Sequence, residues 1–385
     1  MRKTIFVLAA SAITSCSTYK QLSIQSSETV KELKYLHTYT LPFNLQYKET
    51  TVGGLSSIDY DEKTDSYFLV CDDRSSINPA RYYAAKIKIG EKKIDTIVFT
   101  NRYFLLDQIG KVYPGNKQNP LRVPDPESMR YIPSGRNLVW SSEGERLFRA
   151  KDTILNHPAI HLINKAGMWK DSFRMPENLM MSALEKGPRQ NGVLEGLSFT
   201  HDYKYLLTCV EEPLHEDGPR AAPERNQAMI RFFEFDTKTK KSTRQFAYEL
   251  DPVAHKPNPA NAYYVNGVPE FLYIGNDQLL VLERSYSTGR IPCTIKIFLA
   301  DYQRATDVSS LASLKNNGAY QPMKKTLLLN MDQLGIFTDN IEGITLGPVL
   351  PNGNRSVMLV SDNNFSPTQQ SQFMLLELIT VKKEK

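Results

Sequence analysis

A single hairpin pattern, written five times along the chain, constrains this sequence more than any other feature. It runs "VGGLSSIDYDEKTDSYFLVCDDRS" (52–75), "PESMRYIPSGRNLVWSSEGE" (126–145), "VLEGLSFTHDYKYLLTCVEEP" (193–213), "PEFLYIGNDQLLVLERS" (269–285) and "IEGITLGPVLPNGNRSVMLVSDNN" (341–364). Each copy has a leading residue, a short apolar stretch, a turn, an apolar run and an acid. The leading residues are Gly53, Glu127, Glu195, Glu270 and Glu342, spaced 74, 68, 75 and 72 residues apart. The turns "YDEKTD", "PSGRN", "HDYK", "GND" and "PNGNR" carry the Gly, Asn, Asp and Pro that reverse a chain. Alternating runs follow several copies, among them "YYAAKIKI", "TIVFTNRYFL", "MIRFFEFD" and "TIKIFL", so each unit reads as four strands.

The last unit ends one strand short, and the N-terminal "KYLHTYTL" can supply it. Closing a ring in this way removes the unpaired edges that invite aggregation. The fold expected is therefore all-β, a five-bladed β-propeller closed by an N-terminal strand. A six-bladed ring, with an irregular blade within 146–192, is the alternative. Helices should be few, and 176–187 ("PENLMMSALEKG") is the best candidate, from its Pro start and Gly stop.

In a propeller the first strand of each blade lines the channel and the second runs antiparallel beside it. The start of one and the end of the other share a rim. The acids expected at that rim are Glu127, Glu195, Glu270 and Glu342, with Asp72, Asp73, Glu143, Glu211, Glu283 and Asp362. Clustered carboxylates raise one another's pKa and need shared protons, basic partners or a metal. Arg74 and Arg284 follow the acids directly. Oxygen donors in this number suit Ca²⁺, and no His/Cys cluster with zinc spacing is present. Each acid alone can also be a cap or an ordinary salt bridge, and any cation can be purely structural.

The N-terminus "MRKTIFVLAASAITSC" has a basic start, a short apolar core and small residues before Cys16. Residues 1–15 read as an export signal and Cys16 as a lipidated mature N-terminus that holds the protein to a bacterial membrane, outer membrane or cell surface. Residues 16–34 read as a polar tether and 35–385 as one propeller domain. The net charge of +5 falls to +3 once Arg2 and Lys3 are removed, and no basic stripe with interleaved aromatics indicates nucleic acid. The remaining cysteines, Cys71, Cys209 and Cys293, permit at most one disulfide; Cys71 and Cys209 end apolar runs where buried thiols are ordinary, so no disulfide is expected, and the protein reads as a monomer.

The motifs "GGLSSIDYDEKTDSYFLVCDDRS", "DPESM", "VLEGLSF", "CVEEP" and "NIEGITLGP", with "VMLVSDNNF", resemble the bacterial family called esterase-like activity of phytase. The resemblance implies an exported ester hydrolase and points to Asp72, Glu127, Glu195 and Glu342, with Arg74. The favoured function is a Ca²⁺-assisted hydrolase of small-molecule esters, phosphate esters first. The metal would be held by Asp72, Glu127, Glu195, Glu342 and Asp362. Glu195 or Glu211 would act as base and Arg74 and Arg284 would clamp phosphate. A serine-esterase route lacks the G-x-S-x-G elbow. The alternative is a non-catalytic surface propeller that binds a glycan, peptide or partner protein, with Tyr263, Tyr264 and Tyr286 on its loops.

Overall fold

The computed structural model describes residues 20–148, 153–315 and 320–383. Five four-stranded antiparallel sheets follow one another along the chain. Blade 1 comprises Leu55–Asp61, Ser66–Cys71, Arg81–Ile89 and Ile94–Phe104. Blade 2 comprises Pro126–Ile132, Asn137–Ser142, Ala159–Asn164 and Trp169–Ser172. Blade 3 has Leu194–Phe199, Tyr205–Val210, Met229–Asp236 and Lys241–Glu249. Blade 4 has Tyr264–Gly275, Gln278–Ser287, Thr294–Asp301 and Lys324–Asn330. Blade 5 has Asn340–Val349, Arg355–Asp362 and Gln372–Lys382, and Glu28–Thr40 from the N-terminus is its fourth strand.

That closing strand pairs from Glu28 with Lys382 to Thr40 with Gln372. It is longer than "KYLHTYTL" and begins inside the segment read as tether. Ahead of it, Gln21 donates its amide to the His201 carbonyl at 2.7 Å and Ile24 to the Ile274 carbonyl at 2.8 Å. Residues 20–24 thus run beneath the ring, at the end where the first strands finish. Cys16 lies outside the described residues. The region 146–192 does not form a sixth blade. It supplies the outer strands of blade 2 and a two-stranded hairpin, Glu145–Phe148 with Thr153–Asn156. The helix expected over 176–187 is only the 3₁₀ turn Glu177–Leu179. Leu179 and Met181 are buried against blade 3, so the apolar residues that suggested a helix face pack in an extended loop instead.

The channel is closed by side chains rather than open. Arg130, in the first strand of blade 2, is fully buried at its centre. It donates Nε to the Leu197 carbonyl at 2.5 Å, Nη1 to Ile58 at 2.7 Å, and Nη2 to Phe271 and Ile344 at 3.3 Å each. One guanidinium on blade 2 therefore binds a backbone carbonyl from each of the other four blades. Its charge is met by Glu270 of blade 4, with Nη2 3.0 Å from Oε2. Glu270 accepts further bonds from Ser57 at 2.9 Å, Ser128 at 2.8 Å and the Leu197 amide at 3.0 Å. Every blade touches this hub. Removing one partner of a buried pair strands the other's charge at a cost of about 3–5 kcal/mol, whereas an apolar replacement of both can be near neutral. Arg130→Met is expected to lower the unfolding free energy by that amount in denaturant titration. Arg130→Met/Glu270→Leu is expected to lose less than the single variant.

Candidate functional site

The opposite rim carries the acids. Each first strand has a β-bulge near its start, seen as a register shift between Leu55 and Ser57, Pro126 and Met129, Leu194 and Leu197, Gly267 and Glu270, and Ile341 and Gly343. A bulge inserts residues that have no cross-strand partner and re-aims their side chains. The inserted positions include Ser56, Glu127, Glu195, Val268 and Glu342. Three blades thus turn a glutamate toward the mouth. The second strands reach the same rim, ending at or just before Asp72, Glu143, Glu211 and Asp362, while that of blade 4 carries Arg284 there and runs on to Ser287.

These residues line one cleft of about 990 Å³, together with Asp125, Asp339, Asn340, Tyr263, Tyr286, Arg290, Ile291 and Phe337. Within it two triads share a member. The oxygens of Asp72, Asp125 and Glu127 lie within 4.8 Å of one another, as do those of Glu127, Glu143 and Glu195. All five residues come from blades 1 to 3. Burial first, and then the neighbouring carboxylates, push Asp72, Glu127, Glu143 and Glu195 well above the usual carboxylate range. Burial raises Asp125 to about 6, with Arg74 opposing. Glu143 takes the Val193 amide at 2.9 Å. The carboxylates of Glu127 and Glu195 accept no hydrogen bond from any donor among the described residues.

Blade 4 breaks the ring of acids. In place of an acid it presents Arg284, which reaches Glu211 at 2.6 Å and Glu342 at 2.5 Å and also bonds Asn340. Burial opposes the guanidinium's charge, but Glu211 and Glu342 outweigh it and raise its pKa well above the ordinary value. The Arg284 Nε is buried without a partner. Arg74 is similarly engaged, 2.8 Å from Glu145 and 3.3 Å from Asp125. Glu342 and Asp362 line the cleft but belong to neither triad. Burial lifts Glu342 to about 8 and Asp362 to about 6; Asp362 also takes the Asn364 amide at 2.7 Å.

Three expected rim acids lie elsewhere. Glu270 sits two residues deeper than its apparent counterparts, because blade 4's first strand starts early, at Tyr264, and its bulge falls at Val268 and Pro269. Glu283 faces away from the mouth, accepting from Tyr248 at 2.8 Å and Lys325 at 2.7 Å. Asp73 turns back to Arg81 at 2.7 Å and caps the amides of Ser76 and Asn78. In the first unit the position equivalent to the glutamates is Ser56, not Gly53. Asp125, two residues before Glu127 in "DPESM", joins the site although the hairpin pattern does not single it out.

The donor set fits a hard cation. It consists of carboxylate oxygens, in excess over the two arginines that compensate part of them. Cys293, the thiol lining the cleft, is pushed by burial up to about 11 and stays protonated.

A five-bladed propeller with a buried carboxylate cluster at one mouth is the class this fold and site define. The chain belongs to the phytase-like family described as esterase-like activity of phytase, whose model matches residues 50–365. No curated protein matches it. Among solved structures it is similar to an alpha-L-arabinofuranosidase from Lactobacillus brevis, with 9% identity, a TM-score of 0.46, and coverage of 84% of this chain and 91% of that one. It is similar to a periplasmic gluconolactonase from Pseudomonas aeruginosa, with 11% identity, a TM-score of 0.36 and 86% of each chain covered. It is also similar to a bifunctional GH43-CE protein of Bacteroides eggerthii, with 9% identity, a TM-score of 0.41 and 84% of this chain covered; the chain spans only 33% of that protein's length.

The raised carboxylates fix the sign of a pH effect. An acid whose folded pKa exceeds its unfolded value holds its proton better in the folded state, so stability falls as pH rises between the two. Cation-free protein is expected to lose thermal stability from about pH 4.5 to about pH 8, the range bounded by Glu342. Added Ca²⁺ is expected to restore the loss, most strongly at the alkaline end. At a hundredfold excess over the dissociation constant the gain is about 2.7 kcal/mol. Melting curves across this range, with Ca²⁺ and with chelator, check both.

Proposed function

We propose that this protein is an exported hydrolase of phosphate esters, that its mouth carboxylates hold Ca²⁺, and that Glu195 is its general base. The observation that carries this reading is the buried double triad in the same cleft as Arg284. Asp72, Asp125 and Glu127 would hold the cation, which when bound polarises a phosphoryl oxygen and makes water a better nucleophile. Arg284 lines the cleft and would offer its guanidinium charge to the phosphate, while Glu211 and Glu342 fix its orientation. Glu195 takes a proton from the attacking water; the new P–O bond forms as the P–O bond to the alcohol breaks, and the alkoxide takes a proton from solvent. Glu211 is the weaker candidate for base, because its carboxylate is already held by Arg284.

A cation serving only to pin the ring is disfavoured by the Arg130–Glu270 hub, which already ties all five blades. Export and a lipid on Cys16 belong to this reading and rest on the N-terminal sequence. The test is release of a chromogenic alcohol from its phosphate monoester. Turnover is expected to require Ca²⁺ and to fall at least about a hundredfold in Glu195→Gln, the lower end for loss of a general base, with the melting temperature in Ca²⁺ little changed. Undiminished turnover by chelated protein would exclude the mechanism.

A further inference from the structure

The cleft has two chemically different walls. Blades 1 to 3 contribute both carboxylate triads, and blade 5 adds Asp339, Glu342 and Asp362 on the side that Arg284 neutralises. Blades 4 and 5 contribute Tyr263, Tyr286, Ile291 and Phe337. Large apolar side chains left in water are uninformative singly, but a contiguous group beside a polar site marks a binding surface. Tyr263 is 58% exposed, Ile291 82% and Phe337 37%. The Tyr263 and Tyr286 rings lie 6.1 Å apart at 38°.

This wall is braced rather than loose. The Thr288 amide and hydroxyl both donate to the Tyr263 carbonyl, at 3.0 and 2.9 Å. Ile291 follows a turn that needs Gly289 at a φ of +90°, where a Cβ would meet the Asn258 carbonyl at 2.8 Å. The loop bearing Phe337 is tied to it by the Cys293 amide, which donates to the Thr338 carbonyl at 3.0 Å, and by the Thr338 hydroxyl, which donates to the Cys293 carbonyl at 2.6 Å.

The cationic side of the cleft is sparse. Among the described residues its basic groups are Arg74, Arg284 and Arg290, and each is in an ion pair, Arg290 with Asp332 at 2.9 Å. A ligand bearing many phosphates would need a counter-charge for each, and beyond the one proposed cation site the cleft offers only arginines already held in ion pairs.

Resting on the reading of the acidic mouth as a phosphate-ester site, we propose that the substrate is a monophosphate ester of an apolar alcohol, aryl or medium-chain alkyl. Its phosphate sits at Arg284 and the double triad, and its alcohol lies on Tyr263, Tyr286, Ile291 and Phe337. Polyphosphorylated polyols are poor substrates. Ile291 and Phe337 determine specificity and take no part in the chemistry.

The test compares 1-naphthyl phosphate, glycerol phosphate and inositol hexakisphosphate in Ca²⁺, on the full chain and on Ile291→Ser and Phe337→Ser. These side chains are exposed, so both variants should fold. The kcat/KM is expected to favour the naphthyl ester by at least about tenfold, and each variant to lose about tenfold on it while staying within about twofold on glycerol phosphate. Calorimetric binding of 1-naphthylmethylphosphonate against methylphosphonate gives a second readout that needs no turnover. Turnover without discrimination between ester bodies, or a preference for inositol hexakisphosphate, overturns the inference and leaves the hydrolase intact. Tighter naphthyl phosphonate binding, lost in Ile291→Ser, with no ester cleaved supports the inference and removes the hydrolase. Binding of neither phosphonate together with no turnover overturns both.

Discussion

The ring depends on one buried guanidinium. Propeller blades pack face to face through apolar side chains, but at the axis the first strands bring backbone carbonyls together with no strand between them to pair with. Unpaired buried carbonyls cost free energy. Arg130 satisfies one from each of four blades, and Glu270 balances its charge while accepting from Ser57, Ser128 and Leu197. Arginine suits the place because its planar fork offers five donors at fixed angles, which lysine cannot.

With the axis fixed from within, the acids at the mouth are free of that duty. Their crowding is costly in the absence of a counter-charge, and the bulges that aim Glu127, Glu195 and Glu342 inward recur in each blade. Such sites are where stability is commonly given up for chemistry. Blade 4 departs from the pattern and thereby organises the cleft. Val268 and Arg284 stand where acids would continue the ring, so the carboxylates divide into a cluster on blades 1 to 3, which Arg74 offsets only at Asp125, and an arc neutralised by Arg284. The apolar wall begins on the neutralised side.

Much of this was legible in the sequence. Evenly spaced hairpins, a last unit lacking one strand and an N-terminal β run defined five blades and their closure. Hairpin geometry alone brought Asp72, Glu127, Glu143, Glu195, Glu211, Glu342 and Asp362 to one cleft. The failures have physical causes. Glu270 reads as another leading acid because "PEF" mimics "LEG" and "PES", while the bulge two residues earlier that sets its depth leaves no mark on apolar alternation. Arg130, within "SMRYI", looks like any polar residue on a strand; only closure of the ring reveals the four carbonyls it meets. The 3₁₀ turn at Glu177–Leu179 satisfied helix start and stop signals, yet tertiary burial of Leu179 and Met181 against blade 3 decided the conformation. The segment at 20–24 reads as tether, yet it is bound to the ring by the Gln21 and Ile24 amides, by the Ser23 hydroxyl on His201 and by the buried Ile24 side chain, contacts that only the closed ring supplies.

The central claim is that the carboxylates of blades 1 to 3 form a cation site. Calorimetric titration of metal-free protein with Ca²⁺ tests it most directly, paired with Glu127→Gln, because Glu127 belongs to both triads. The account predicts saturable binding that the substitution abolishes or severely weakens. No binding heat at any accessible temperature, or equal affinity in wild type and Glu127→Gln, would contradict it.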